Sequence, residues 1–241
     1  MTNLGTATWI LGIQVCHDIA AGTLSINQSQ YLKGVLSRFG MADCTPVIIP
    51  LPASKHFEPA LPDDHASVAS YPYLEVIGSL TYAAMGTRPD IAAAVRSLSP
   101  FAATFSHNHI DGLKHIMRYI WGTLGRGILY TMGGGGLVGY MDADWANDTT
   151  NRHSISVFAF LYTGGAISWM SKQQSSTALS STHAEYIAAA EATKELVWLC
   201  HLLSEVREDV VCQGPRVLAL RRCPGTKSLS KLGSNPNNML D

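Results

Sequence analysis

Apolar residues recur along the chain with two different periods, and the period changes near its middle. Residues 9–15 and 23–26 read as short extended stretches, after which Leu32, Val35, Leu36 and Phe39 recur at helical spacing with Gly40 as a stop. Between 43 and 66, Pro46, Pro50, Pro52, Pro59 and Pro62 break any regular element and predict a linker or exposed loop. Three helical patterns follow. The first carries Tyr73, Val76, Ile77, Leu80 and Ala84 behind Ser70 as a candidate cap. The second carries Ile91, Val95 and Leu98 behind Pro89, a residue suited to a first helical turn. The third runs near 108–121, with Ile110, Leu113, Met117, Ile120 and Trp121 on one side.

Four glycines, Gly133 to Gly136, interrupt the pattern. A phosphate-cradling loop places spaced glycines before a helix, whereas a strand-like segment follows here, so the run reads as an interdomain hinge. Beyond it the period is that of strands: 137–142, 155–162 and 166–170, the last two joined by Thr163-Gly164-Gly165 as a tight turn. A polar stretch, 171–182, leads into a long amphipathic helix ending near 206. Its expected apolar side holds Ile187, Ala190, Leu196, Leu199, Leu202, Leu203 and Val206. A short strand at 217–220 completes the series. Strand, hairpin, long helix, strand predicts an α/β fold with a mixed sheet.

Composition narrows the function classes. The 241 residues suffice for one large domain or two small ones and for a substantial core. With 17 Lys+Arg against 18 Asp+Glu, bulk electrostatic wrapping by nucleic acid is not expected, although a local basic patch remains open. Such a patch exists: Arg216, Arg221, Arg222, Lys227 and Lys231 lie between 210 and 240 without an acidic residue, leaving the preceding body net acidic. The basic tail reads equally as a phosphate-binding footprint or as debris of a shifted reading frame. Apolar runs such as 76–85 are too short to span a membrane. The first residues lack the basic region of a secretory signal. Cys16, Cys44, Cys200, Cys212 and Cys223 are scattered with no C-x-x-C pair, which predicts reduced thiols in an intracellular protein.

The most informative constellation is Asp142-Ala143-Asp144-Trp145 at a strand end, together with Glu185 in the first turn of the long helix. Carboxylates so placed can converge on a hard cation such as Mg²⁺, which prefers oxygen donors. Metal-assisted phosphodiester cleavage commonly uses two ions about 4 Å apart bridged by a carboxylate. The structural alternatives are concrete: Thr182-x-x-Glu185 has the spacing of a capping box, and Asp142 and Asp144 could simply be a solvated strand end. A nucleophile–base–orienter set around Ser180 and His183 lacks its third member. Residues 171–182 could touch a nucleic-acid backbone through hydroxyls and Lys172, or form a polar hairpin edge.

From 137 to 203 the chain resembles the ribonuclease H domain of Ty1/copia-type retrotransposon Pol polyproteins. The matching residues are Val138-Gly139-Tyr140-Met141-Asp142-Ala143-Asp144-Trp145-Ala146, Arg152-His153-Ser154-Ile155-Ser156, and Gly165 through Gln174. Ala178 through Thr182, Ala184-Glu185-Tyr186 and Glu195-Leu196-Val197-Trp198-Leu199 complete the set. Upstream, Leu11-Gly12-Ile13-Gln14-Val15, Tyr71-Pro72-Tyr73, Arg88-Pro89-Asp90-Ile91 and Arg118 through Thr123 resemble the segment just after the polymerase palm. The resemblance implies a reverse-transcriptase C-terminal segment, thumb- or connection-like, over 1–132, with its Pro-rich loop at 43–66. A hinge at 133–136 and a C-terminally incomplete ribonuclease H-like domain over 137–241 follow. It implies Mg²⁺ or Mn²⁺ as cofactor, an RNA–DNA hybrid and the rest of a Pol polyprotein as partners, and Asp142 and Glu185 as catalytic metal ligands.

Asp144 belongs to the motif without being a primary ligand, and His183 stands where a second glutamate is usual. The Asp-Asn-Gln expected after the long helix is replaced by Arg222-Cys223-Pro224, so a cation takes the place of the third ligand. A further aspartate is expected past residue 241, and Asp241 has no counterpart in the motif. At 4 Å and an effective dielectric of about 20, each unit-charge interaction is worth about 4 kcal/mol, doubled for a divalent ion, so the exchange opposes metal binding and little or no cleavage is expected. The Tyr-Val-Asp-Asp of the palm is absent from the chain. His107, His109, Asp111 and His115 suggest a metal cluster by composition, but the resemblance puts His109 and Lys114 at the head of a structural helix, with Asp111 near its cap. The alternative reading is a non-catalytic nucleic-acid-binding or interaction module, or a relic without activity.

Overall fold

Positive φ at Leu11 (50°) and Gly12 (75°) folds what alternation reads as one extended stretch into a hairpin. Strand β1 (Trp9–Ile10) pairs antiparallel with β2 (Ile13–Asp18), and β2 with β3 (Thr23–Asn27). The computed structural model describes residues 5–52, 55–145, 153–206, 216–223 and 226–231. It divides into two compact units, Met1–Leu129 and Tyr130–Asp241.

The first unit is mainly helical. Helix α1 (Ser29–Arg38) stops as expected, with Gly40 just beyond it at φ 67°. The proline-rich stretch is not irregular to its end, because α2 (Pro62–Val68) opens on Pro62. Helix α3 (Tyr73–Gly86) starts after Pro72 rather than at Ser70. A proline disfavours the helical region for its predecessor, here Tyr71, so the helix cannot run in from Ser70. Helix α4 (Pro89–Leu98) and a 3₁₀ turn (Ser99–Phe101) lead to α5 (His107–Gly122). Leu36, Leu80, Ile91, Leu98, Leu113 and Ile120 form the centre of the core at the predicted periods. Tyr73 stacks on Phe105 with centroids 4.5 Å apart, and its hydroxyl donates to the Leu98 carbonyl at 3.0 Å.

A charged network lies within this core. Arg88 is only 1% exposed, and its guanidinium donates to both carboxylate oxygens of Asp90 at 2.9 Å. It also donates to the Thr123 carbonyl (3.1 Å) and hydroxyl (2.7 Å), while the Tyr119 hydroxyl donates to Asp90 at 2.8 Å. The network joins α4 to the end of α5. Burial pushes the Asp90 carboxyl up, but the hydrogen bonds and charge of Arg88 outweigh it and hold the group below its ordinary value. A lowered folded-state pKa means that this stabilisation is complete above the unfolded carboxylate value and is lost as pH falls through the folded one.

The second unit carries the other sheet. Strand β4 (Ile128–Thr131), absent from the sequence pattern, stands beside β3 as the first unit ends. Strands β5 (Val138–Asp144), β6 (Ile155–Tyr162) and β7 (Gly165–Gln173) form an antiparallel meander. Thr163 (φ 50°) and Gly164 (φ 84°) make a two-residue turn, one shorter than expected, because Gly165 already belongs to β7. Helix α6 (Ser181–Val206) follows, then β8 (Arg216–Cys223) and β9 (Thr226–Lys231). The order is β7-β6-β5-β8-β9, with β8 parallel to β5 and β9 antiparallel to β8. The mixed α/β plan is as predicted, while β9 lies in what the sequence reads only as a basic tail.

The glycine run lies inside the second unit. The Thr163 amide donates to the Gly135 carbonyl at 3.2 Å, and a Cβ on Gly134 would come within 2.6 Å of the Thr163 backbone. The division between units precedes it, at Leu129 and Tyr130.

Helix α6 packs on β5 and β6 through Ala184, Ala188, Ala192 and Leu199. This differs from the predicted apolar side: Leu196 packs against the cluster, but Ala190, Leu202 and Val206 face solvent. Phe158 and Phe160 already fill the sheet's inner face, so small residues suit the helix there. Gly139 is required by the same packing, since a Cβ on it would sit 2.4 Å from the Phe160 ring. Among the described residues no helix is long and apolar enough to cross a membrane.

Replacing Asp90 with Ala leaves a buried guanidinium without its partner. Urea unfolding should show a loss of about 2–3 kcal/mol at neutral pH. The difference between variant and parent should shrink below the carboxylate range. Equal unfolding midpoints at neutral pH would contradict this role.

Candidate functional site

Strand alternation sorts the residues of β5 between two environments. Gly139 and Met141 face Phe160 and Phe158, the face that α6 covers. Asp142 and Asp144 are on the other face, opposite Val157 and Ile155 of β6. Val157 is 38% exposed where its neighbour Phe158 is 6% exposed, so this face opens toward solvent. Both aspartates are half-buried at the strand's end, and the Ala143 amide donates to Asp142 Oδ1 at 2.9 Å. Trp145 ties the end of the motif to the approach of α6 by donating from its indole nitrogen to the Ala178 carbonyl at 3.2 Å.

Glu185 is half-buried beside the fully buried Ala184. Its spacing from Thr182 predicts a capping box, and the structure corrects this reading. The first helical hydrogen bond runs from the Ala184 amide to the Ser180 carbonyl at 3.1 Å, which makes Ser180 the N-cap. The Ser180 hydroxyl accepts from the His183 amide at 3.1 Å, and His183 Nδ1 accepts from the Leu179 amide at 3.4 Å. The turn is closed by Ser180 and His183, with Glu185 two residues past the reciprocal position. The physical reason is the break in the polar stretch: Ser180 is the last residue before helical geometry begins, two positions before Thr182.

Below Glu185 lies a group that the sequence pattern did not single out. Gln174, 5% exposed, donates from its side-chain amide to Ser156 Oγ and to the Ala184 carbonyl, each at 2.9 Å. Its backbone amide donates to the Ser154 carbonyl at 2.8 Å, and His153 Nδ1 contacts its carbonyl at 2.8 Å. Farther along, Ser168 donates to Glu195 at 2.6 Å, a second polar tie between β7 and α6. In the sequence Gln174 is only the last residue of a matched segment, placed between a strand and a helix, which marks a loop as readily as a clamp.

The other candidates resolve as follows. His109 is buried and accepts from the Ser106 amide at 3.0 Å in a reciprocal cap of α5, and His115 contacts the Ile49 carbonyl at 3.2 Å. Burial holds His109 below its ordinary pKa, with Lys55 adding to the effect. Arg222 lies near the end of β8, paired with Lys227 of β9. Ala146, Arg152, Pro224 and Asp241 lie outside the described residues. Carboxylates are the donor type that suits Mg²⁺. Among the described residues, however, no three His, Cys, Asp or Glu come together to hold an ion. Among the described residues the donor chemistry fits and the donor number falls short.

No family model matches the chain, and no solved structure matches it. It is 41% identical over 210 residues to the retrovirus-related Pol polyprotein from transposon TNT 1-94 of Nicotiana tabacum, covering 86% of this chain and 16% of that one. It is 48% identical over 129 residues to the secreted RxLR effector protein 161 of Plasmopara viticola, covering 53% of this chain and 91% of that one. With the Pol polyprotein from transposon RE2 of Arabidopsis thaliana it shares 36% identity over 188 residues, 76% of this chain and 12% of that one. The chain thus spans a small part of the length of the polyproteins it matches.

Ser180→Ala should remove the cap and lower stability by about 1 kcal/mol, whereas Thr182→Ala should be close to neutral. Thermal unfolding of the two variants checks this, and the reverse ranking would restore Thr182 as the cap.

Proposed function

The chain belongs to the Pol polyprotein family of copia-type retrotransposons, and from that premise we propose that its second unit is a ribonuclease H-like domain with impaired cleavage. On this reading the first unit is the C-terminal segment of the reverse transcriptase, and the rest of a Pol polyprotein is its partner. The observation that carries the proposal is the second unit's order of strand, hairpin, long helix and parallel strand. Asp142 stands at the end of the first strand and Glu185 in the opening turns of the helix that packs on it.

The substrate is RNA in an RNA–DNA hybrid, distinguished from DNA by its 2′-hydroxyls. Asp142 and Glu185 would hold Mg²⁺ or Mn²⁺, which when bound supplies an activated water for attack on the phosphodiester. The chain's own contribution is to hold two carboxylates on rigid elements, Asp142 on a paired strand and Glu185 on a clamped helix. The third ligand position falls on Arg222, a cation that repels the ion and favours the phosphate backbone instead. This charge reversal favours a second reading, a hybrid-binding module that does not cut. The chain lacks the paired aspartates of the palm, so nucleotide transfer is not proposed for it.

An RNA–DNA hybrid cleavage assay with Mg²⁺ and with Mn²⁺ separates these outcomes. The unaltered chain should cut no faster, or barely faster, than its Asp142→Asn variant, while both retain the hybrid in a gel shift. Rapid cleavage abolished by Asp142→Asn would contradict impairment. Absence of both cleavage and hybrid retention would contradict the ribonuclease H-like reading itself.

A further inference from the structure

Gln174 makes contacts that a connecting loop residue does not need. It sits just past the end of β7, yet its side chain is buried and its one amide nitrogen bridges β6 at Ser156 and α6 at Ala184. The Ala184 carbonyl is in the first turn of α6, and Glu185 is the next residue. Ser154 and Ser156, which frame the amide, are both buried. The Oε1 atom of Gln174 is buried with no partner among the described residues. A buried amide with an unsatisfied oxygen is held by what its nitrogen does.

We propose that Gln174 is a positioning residue: its amide fixes the height and rotation of the first turn of α6 against the ends of β6 and β7, and so sets where the Glu185 carboxylate stands. The inference rests on the ribonuclease H-like reading of Glu185 and deepens it by naming the group behind that carboxylate. Ser180 and His183 close the outer end of the same turn, but they do so within one segment. Gln174 links that turn to the sheet that carries Asp142. Such a link holds at a fixed height against the strands a first turn that would otherwise fray.

The test uses the full chain with Mn²⁺ as the probe, its free concentration read by electron paramagnetic resonance, and backbone amide exchange read by NMR. Gln174→Leu removes both donations at similar volume, whereas Ser156→Ala removes one and leaves the Ala184 contact. Gln174→Leu should weaken Mn²⁺ binding about tenfold, the lower end for a group that orients a metal ligand, and Ser156→Ala, which loosens only the sheet end of the bridge, should weaken it by a smaller factor. Exchange should quicken at Glu185 and Tyr186 in Gln174→Leu and not in the second half of α6. A purely structural role would lower the unfolding temperature of Gln174→Leu while sparing both Mn²⁺ affinity and local exchange in the folded protein, and that result overturns the proposal. If Mn²⁺ binding to the parent does not respond to Glu185→Gln, the metal reading of Glu185 fails. In that case, quickened exchange at Glu185 and Tyr186 still supports the positioning role, and unchanged exchange overturns it.

Discussion

The arrangement of the second unit depends on how closely α6 can approach the sheet. Ala184, Ala188 and Ala192 present a stripe of small side chains, and Gly139 gives Phe160 room to lie over β5. A larger residue at position 139 would push into the Phe160 ring and separate the helix from the strand. Everything proposed for Asp142 and Glu185 assumes that spacing, because one stands on the strand and the other on the helix. The clamp through Gln174 acts on the same spacing from the polar side. Apolar packing brings the two elements together, and hydrogen bonding fixes their relative height.

The elements with strong periodicity were legible from the amino-acid order. The stripes on α3, α4 and α5 became the core of the first unit because each had enough apolar residues at one spacing to define a buried face. The apolar side of α6 was misjudged for the opposite reason. Its large residues spread around much of the circumference, and tertiary packing chose the alanines. The Leu11-Gly12 turn and β4 were missed because a two-residue strand and a four-residue strand carry almost no period.

The candidate site was legible in part. Asp142, Asp144 and Glu185 were visible as carboxylates at a strand end and a helix start, and the fold keeps them there. What could not be read was which residue caps the helix, since Ser180, Ser181 and Thr182 all have the chemistry for it. Nor could Gln174 be recognised, because its meaning lies in contacts with Ser156 and Ala184 that come from different elements. The count of donors matters as much as their placement. On the proposed reading, two carboxylates on rigid supports would attract a divalent ion weakly, and a cation in the third position would favour nucleic-acid contact over cleavage.

At the centre stands the proposal that Asp142 at the end of β5 and Glu185 at the start of α6 are the carboxylates to which a divalent cation binds weakly. A Mg²⁺ titration of the full chain, followed at backbone amides by NMR, tests it most directly. The account predicts shifts concentrated at 142–145 and 184–186, still unsaturated when Mg²⁺ reaches the millimolar range. Shifts centred on His107 to His115, or none at either carboxylate segment, would contradict it.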